Sequence, residues 1–295
     1  MTLKENCRWA YKSKIFYDEP MSDHTTLRVG GKAEIFVECG SVKDLNFFCE
    51  TANEYGREVK IVGNGSNLLV SDTGYNGIVV SLKNLRSVKR NGQLVTAFCG
   101  ATFGEVIDFC KENGFTGTEE FSGLPSQVGG AVVMNAGAFG VSVSDYVESV
   151  TVLRKGKLVT LDKSDCGFSY RNSVFKKNGD VICSVNFRFG EGGFDKEKSD
   201  RCLEKRKAKQ PSGKSCGSVF LNPDGDYAGR LVEEAGMKGF SMGGAKISDK
   251  HANFIINIGD ATSRDVYSLI KQVKNTVYEK FGVSLEEEVE YLGEF

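Results

Sequence analysis

The stretch Lys214 to Pro223, KSCGSVFLNP, crowds a cysteine and two serines around a glycine just before a short β-type run. A nucleophilic serine needs a base beside it, usually histidine. This chain has two histidines in 295 residues, and no G-x-S-x-G frames Ser218. Any chemistry at Ser218 must therefore use its hydroxyl without a histidine partner. Cys216 reads as a small packing residue rather than a reactive thiol. His251, inside the apolar run KHANFIIN, reads as a structural residue or a nucleotide contact rather than a catalyst. No C-x-x-C pair occurs, which argues against a zinc site, and no metal is expected.

The other chemical signal is glycine. There are 35, about 12% of the chain against an average of about 7%, and they cluster. KIVGNGSNLLVSD passes from a β-type run into Gly63-Asn64-Gly65-Ser66-Asn67 and back to apolar residues at Leu68. Glycine there lets the backbone turn through positive φ and present consecutive N–H groups, a concavity suited to phosphate oxygens. It is no Walker loop, since no Gly-Lys-Ser/Thr follows. Nor is it the Rossmann fingerprint, since Leu68 replaces the third glycine. Taken alone, a plain tight turn explains it. The second cluster is GLPSQVGGAVVMNAGAFG, with glycines at 123, 129, 130, 137 and 140. A segment with so little side-chain bulk can lie against a large flat ligand at backbone distance. Two such loops about 60 residues apart suit a dinucleotide, which carries both a pyrophosphate and a flat ring.

Recognisable elements must hold these loops. Ser41 to Gly56 reads as a helix with a capping box at Ser41 and Asp44 and an apolar face through Leu45, Phe48, Cys49 and Ala52. Thr102 to Gly114 repeats the design, with Thr102 and Glu105 as the box. Short strands are expected at Val59–Val62 and Ile78–Leu82. ESVTVLRKGKLVTL is a hairpin turning at Lys155-Gly156, and DVICSVNFRF alternates cleanly. Asp195 to Lys209 is a charge-rich helix with little apolar face, read as a solvated connector at a lobe boundary. Beyond it come a helix around Arg230 to Ala235 and a strand near Asn253 to Ile258. A long helix follows, capped by Thr262 and Asp265 and closed by Gly282.

Gross composition bounds the rest. Apolar residues make up 40% and charged residues 26%, with a net charge of −1. That is ordinary globular composition, with nothing to suggest a nucleic-acid partner or an anionic membrane. No apolar run approaches the roughly 18 residues of a membrane span, and the polar N-terminus does not read as a secretory signal. Nine cysteines at apolar positions read as buried thiols in a reducing compartment, so a cytoplasmic location is expected.

The segments TTLRVGGKAEIFVE, VGNGSNLLVSD, GLPSQVGGAVVMNAGAFG, YRNSVFK, SCGSVFLNP, AGRLVEEAGMKG and KHANFIIN occur in this order. In that combination the chain resembles the UDP-N-acetylenolpyruvoylglucosamine reductase family over roughly Thr25 to Gly293. Only 47 positions separate Arg171 from Ser218, which is similar to the family's shorter variant without an extra substrate-covering loop. The resemblance implies an α+β fold. Its FAD-binding lobe, of the vanillyl-alcohol-oxidase/PCMH type, has two α+β halves and is followed by a smaller α+β substrate lobe. Placed on this chain, that gives an N-terminal segment (1–24), an FAD-binding domain (25–192) and a substrate-binding domain (193–295).

The resemblance also implies FAD and NADPH as cofactors. The small-molecule substrate it implies is UDP-N-acetylglucosamine enolpyruvate, reduced to UDP-N-acetylmuramate for peptidoglycan. Carried over residue by residue, it makes Arg171, Ser218 and Glu288 catalytic. Cofactor-binding residues come from the first loop (Gly63, Asn64, Gly65, Ser66, Asn67 and Leu68). Others come from the second (Gly123, Pro125, Ser126, Gly129, Gly130, Asn135 and Gly137). Tyr170, Lys209 and Asn222 become candidates for substrate binding. Where the family has Pro-Gly this chain has Pro125-Ser126, so a family glycine at positive φ would leave Ser126 strained.

The chemistry suits these residue types. A planar guanidinium fits a carboxylate whose charge grows in the transition state. A protonated glutamic acid can donate a hydrogen bond to the same carboxylate. A serine hydroxyl can protonate a carbanion-like carbon with no histidine. Without the resemblance, Arg171 would be a surface arginine, Ser218 a strand-start residue and Glu288 one of three consecutive glutamates. Two alternatives to this function are another FAD-dependent oxidoreductase acting on a small acid and a nucleotide-sugar binding protein without catalysis.

Overall fold

The computed structural model describes residues 2–295, which form two compact units. The first gathers residues 2–17, Ile35–Asn64 and Gly77–Arg206. The second gathers Asp18–Glu34, Gly65–Asn76 and Lys207–Phe295.

In the first unit, helix Val42–Glu54 starts where the Ser41 hydroxyl accepts from the Asp44 N–H at 3.0 Å. The expected box is only half made. Asp44 is buried, and its carboxylate accepts instead from the backbone N–H groups of Tyr11 and Lys12 and from the Ser13 hydroxyl. Burial works against its charge, yet the hydrogen bonds from Ser13, Lys12 and Tyr11 hold it below the usual carboxylate range. Helix Phe103–Glu112 carries the complete reciprocal box, Thr102 with Glu105. Its Phe103 ring packs on Phe121 and Phe187 in the core.

A five-stranded antiparallel sheet backs that helix, in the order Lys157–Asp162, Val147–Arg154, Val181–Phe187, Leu94–Phe98, Val88–Asn91. The expected hairpin turns at Lys155 and Gly156, both at positive φ, the primed geometry that matches strand twist. A four-stranded sheet places Val59–Val62 parallel to Tyr75–Ser81. Helix Lys196–Lys209 departs from the solvated connector of the sequence reading. Cys202 is buried, the Ser199 and Ser122 hydroxyls pair at 2.7 Å, and Leu203 lies against Gly123. One narrow stripe therefore docks it on the second glycine segment.

In the second unit, an antiparallel sheet runs Ser215–Ser218, Phe254–Asn257, Ala245–Ile247, Ser241–Met242. Helix Ser263–Phe281 buries Val266, Leu269, Ile270, Val273 and Val277. It starts with the Thr262/Asp265 box and ends at Gly282 with φ 68°. The early segment joins this unit through two devices. Leu68–Val70 pairs in parallel with Glu290–Leu292, and the Asp72 carboxylate accepts from the first N–H groups of the long helix. Among the described residues, no helix is long and apolar enough to cross a membrane, and the nine cysteines form no disulfide.

Candidate active site

Arg171 stands at the tip of a tight turn in the first unit. Ser169 and Asn172 exchange both backbone hydrogen bonds (3.1 and 3.2 Å), leaving Tyr170 and Arg171 as the two central residues. Arg171 has φ 52°, the left-handed region that glycine or asparagine normally fills at the second position of such a turn. Its guanidinium donates to the Gly137 carbonyl at 3.3 Å and lies over the Tyr170 ring, 5.3 Å from the centroid. Tyr170 itself is exposed.

The second glycine segment is not a continuous loop, because Val128–Val133 forms a short helix. The Gly129 N–H donates to the Cys99 carbonyl, and a Cβ there would sit 3.1 Å from the Cys99 Cβ. The missing side chain at Gly129 thus serves helix-on-strand packing. Gly130 is exposed, with only the Ser126 hydroxyl within 4 Å of a Cβ. Gly123, at φ 76°, lies under Leu203 and Arg206. Pro125 is exposed, and Ser126 lies outside the left-handed region, so the strain expected there is absent. Asn135 is buried and at φ 42°. A Cβ at Gly137 would meet the Arg171 Nη1 at 3.0 Å.

The first glycine segment divides between the units. Gly63 and Asn64, both exposed, belong to the first, where a Cβ on Gly63 would approach the Gln127 Oε1 at 3.0 Å. Gly65, in the second, has φ 62° and is buried, and a Cβ there would lie 2.2 Å from the His24 carbonyl oxygen. Close backbone approach accounts for that glycine, whereas Gly63 has no positive φ. The Gly65 carbonyl accepts from Thr26, whose hydroxyl also donates to the Ser215 carbonyl at 2.6 Å. Ser66 is half-buried, its carbonyl oxygen 3.7 Å from where a Gly217 Cβ would be, and Leu68 is buried.

Within the second unit, backbone bonds set the segment that follows Ser218 against Glu288. Gly217, at φ 77°, lies in the register shift between Ser215 and Ser218 and turns the strand end. Beyond Ser218, the Val219 carbonyl accepts from the Glu288 N–H at 2.8 Å, and Phe220 bridges Glu287. The Glu288 carbonyl in turn accepts from Asn67 Nδ2 at 2.9 Å. Of the rival glutamates, Glu286 is exposed, and Glu287 pairs with Lys274 at 2.7 Å and with Lys271 at 3.9 Å. Cys216 is fully buried. Burial first, with the Glu288 charge adding to it, raises its thiol to about 12, as a packing residue requires. Lys209 and Asn222 are both exposed. The Asn222 Oδ1 accepts from the Ala228 N–H at the start of helix Ala228–Glu234. His251 accepts at Nδ1 from the Asn253 N–H and packs edge-on against Phe254. Burial and then the Lys238 charge lower its pKa, consistent with a neutral structural ring.

Two residues escaped the sequence reading. Asn253, buried, uses its amide to bond both the N–H and the carbonyl of Phe220 and so fixes the segment after Ser218. A lone asparagine inside an apolar run was the available signal. Arg206 donates from Nε to the Ser122 carbonyl and lies 5.5 Å from the Phe139 ring centroid. Its Nη2 is buried and meets no acceptor among the described residues. Burial lowers its pKa, and no carboxylate compensates. A buried guanidinium without a carboxylate suits an incoming phosphate oxygen. It is a feature of the first unit that fits an anionic dinucleotide.

Comparison with known proteins agrees with this division of labour. Residues 33–162 match the family described as FAD binding domain. Residues 208–292 match the C-terminal domain of UDP-N-acetylenolpyruvoylglucosamine reductase. The chain is 40% identical over 287 residues to the UDP-N-acetylenolpyruvoylglucosamine reductase of Exiguobacterium sibiricum, covering 96% of this chain and 94% of that one. The crystal structure of the corresponding reductase from Thermus caldophilus superposes with a TM-score of 0.80 at 32% identity, over 96% of this chain and 99% of that chain. BBE-like 1 from Physcomitrella patens shares the fold alone: TM-score 0.50, 15% identity, 65% of this chain and 45% of the other. The fold is the expected α+β architecture, an FAD-binding lobe followed by a substrate lobe.

Proposed function

The chain belongs to the UDP-N-acetylenolpyruvoylglucosamine reductase family, and on that premise we propose that it reduces UDP-N-acetylglucosamine enolpyruvate to UDP-N-acetylmuramate in peptidoglycan precursor synthesis. The observation that carries this reading is the backbone register that sets the strand end after Ser218, through Val219, against Glu288. Free, mostly buried thiols favour a reducing compartment, the cytoplasm.

The chemistry FAD supplies when bound is hydride carriage from NADPH to the terminal methylene carbon of the substrate. Asn64, Gly130 and Arg206 are the residues of the first unit that would hold it. The protein's own task is to manage the charge that hydride addition creates. Electron density then builds at the ether-bearing carbon and spreads into the neighbouring carboxylate. Arg171 binds that carboxylate, and its fixed charge stabilises the transition state more than the ground state. Glu288, in protonated form, donates a hydrogen bond to the same group. The Ser218 O–H gives its proton to the ether-bearing carbon, which completes addition of hydride and proton across the double bond. The resulting alkoxide is reprotonated by water. Tyr170, Lys209 and Asn222 bind the sugar or the diphosphate.

The test is spectroscopic. Purified protein should carry an oxidised flavin spectrum that NADPH bleaches anaerobically. UDP-N-acetylglucosamine enolpyruvate should then restore it, with one UDP-N-acetylmuramate formed per flavin. A flavoprotein inert to that substrate would instead mark an oxidoreductase for another acid. A colourless protein that binds UDP-sugars would mark a binding module.

A further inference from the structure

Asn135 uses both ends of its side-chain amide inside the protein. Its Nδ2 donates to the Ser169 carbonyl at 3.0 Å, and its Oδ1 accepts from the Ser144 N–H at 3.0 Å. The side chain is buried, with 5% of the residue exposed. Its left-handed backbone terminates helix Val128–Val133, a position where asparagine or glycine is favoured. Helix termination explains the backbone but not where the side chain goes.

That destination is the turn carrying Arg171. The Ser169 carbonyl accepts from Asn172 within the turn and from Asn135 beneath it, which uses both lone pairs. Two further ties join the same segments: the Ser173 hydroxyl donates to the Val133 carbonyl at 2.7 Å, and Arg171 donates to the Gly137 carbonyl. Residues 133, 135 and 137 therefore fasten 173, 169 and 171. A non-glycine residue persists at positive φ only where its surroundings over-determine it. Val133 and Gly137 contribute only main-chain carbonyls, so Asn135 is the one side chain of the three that substitution can remove.

We propose that Asn135 is a positioning residue for Arg171: its buried amide clamps the strained turn so that the guanidinium is held ready for the substrate carboxylate. This rests on the reading of Arg171 as the carboxylate-binding residue. It replaces a cofactor contact for the Asn135 side chain with a structural clamp on the substrate side of the chemistry.

The test uses full-length, flavin-loaded protein. Asn135→Gly keeps the left-handed backbone and removes the clamp. Asn135→Asp keeps the acceptor for Ser144 and removes the donor, and it serves should the glycine variant not fold. Misplacing a substrate-orienting group by about 1 Å is worth about 10²-fold. Flavin reoxidation by substrate should therefore slow about 10- to 100-fold, with flavin reduction by NADPH and FAD affinity unchanged within about twofold. In an Arg171→Ala background the same substitution should cause no further loss, an outcome that a merely structural role does not produce. A more than tenfold loss of FAD affinity, independent losses in the double variant, or an unchanged reoxidation rate would each overturn the proposal. Failure of the underlying reading is separate: Arg171→Ala alone would then leave reoxidation intact.

Discussion

Arg171 sits where a glycine would be more comfortable, and that has a measurable consequence. Replacing it by alanine and by glycine removes the same guanidinium, the same bond to the Gly137 carbonyl and the same stacking on Tyr170. The two variants differ only in backbone preference at φ 52°. A non-glycine residue held there costs about 1–3 kcal/mol. The greater freedom of glycine in the unfolded chain takes back about 0.4–1 kcal/mol. Arg171→Gly should therefore be more stable than Arg171→Ala by about 1 kcal/mol, or about 2–4 °C in melting temperature for a unit of this size. The assay is thermal unfolding of the FAD-loaded variants by circular dichroism with flavin fluorescence as a second probe. Both variants should be equally poor at passing hydride to substrate. An alanine variant as stable as the glycine variant would refute the reasoning, because it would mean the turn carries no strain for the guanidinium to justify.

Other outcomes follow from the same observations. Arg206→Met should weaken FAD binding at least tenfold while leaving the flavin-free protein as stable or more so, since an uncompensated buried charge is removed. Titration calorimetry with FAD measures the first effect, and an unchanged affinity would remove Arg206 from the cofactor site. Asp44→Ala should destabilise the first unit by about 1–3 kcal/mol at neutral pH through loss of its three hydrogen bonds. Because the folded Asp44 pKa lies below the unfolded one, its contribution is full above about pH 4 and fades as pH falls through the folded value. Denaturant midpoints of the two proteins should accordingly converge as pH falls below about 4, and a pH-independent difference would contradict the assignment.

What was legible in the sequence was local. The boxes Thr102/Glu105 and Thr262/Asp265 and the Lys155-Gly156 turn are set by residues within four positions of one another, and each forms as read. Ser41 was half right because the Asp44 carboxylate is claimed by residues 31 to 33 positions upstream, which no local spacing reveals. Val128–Val133 looked like loop because two glycines oppose helix formation. The close fit of Gly129 to Cys99 overrides that propensity. The stripe on Lys196–Lys209 was missed because it is built from Ser199, Cys202, Leu203 and Arg206, which share no hydrophobic signature. The parallel pairing of Leu68–Val70 with Glu290–Leu292 spans more than 200 positions, and nothing in either short run names its partner. At the site, residue types pointed to the chemistry, whereas the positive φ of Arg171 and the clamp beneath it exist only in three dimensions.

Proton donation by Ser218 is tested most directly by stopped-flow separation of the two half-reactions in Ser218→Ala. The expected result is flavin reduction by NADPH within about twofold of the parent rate and anaerobic reoxidation by UDP-N-acetylglucosamine enolpyruvate slowed by about 10²- to 10⁴-fold. Equal losses in both half-reactions, or reoxidation at the parent rate, would contradict it.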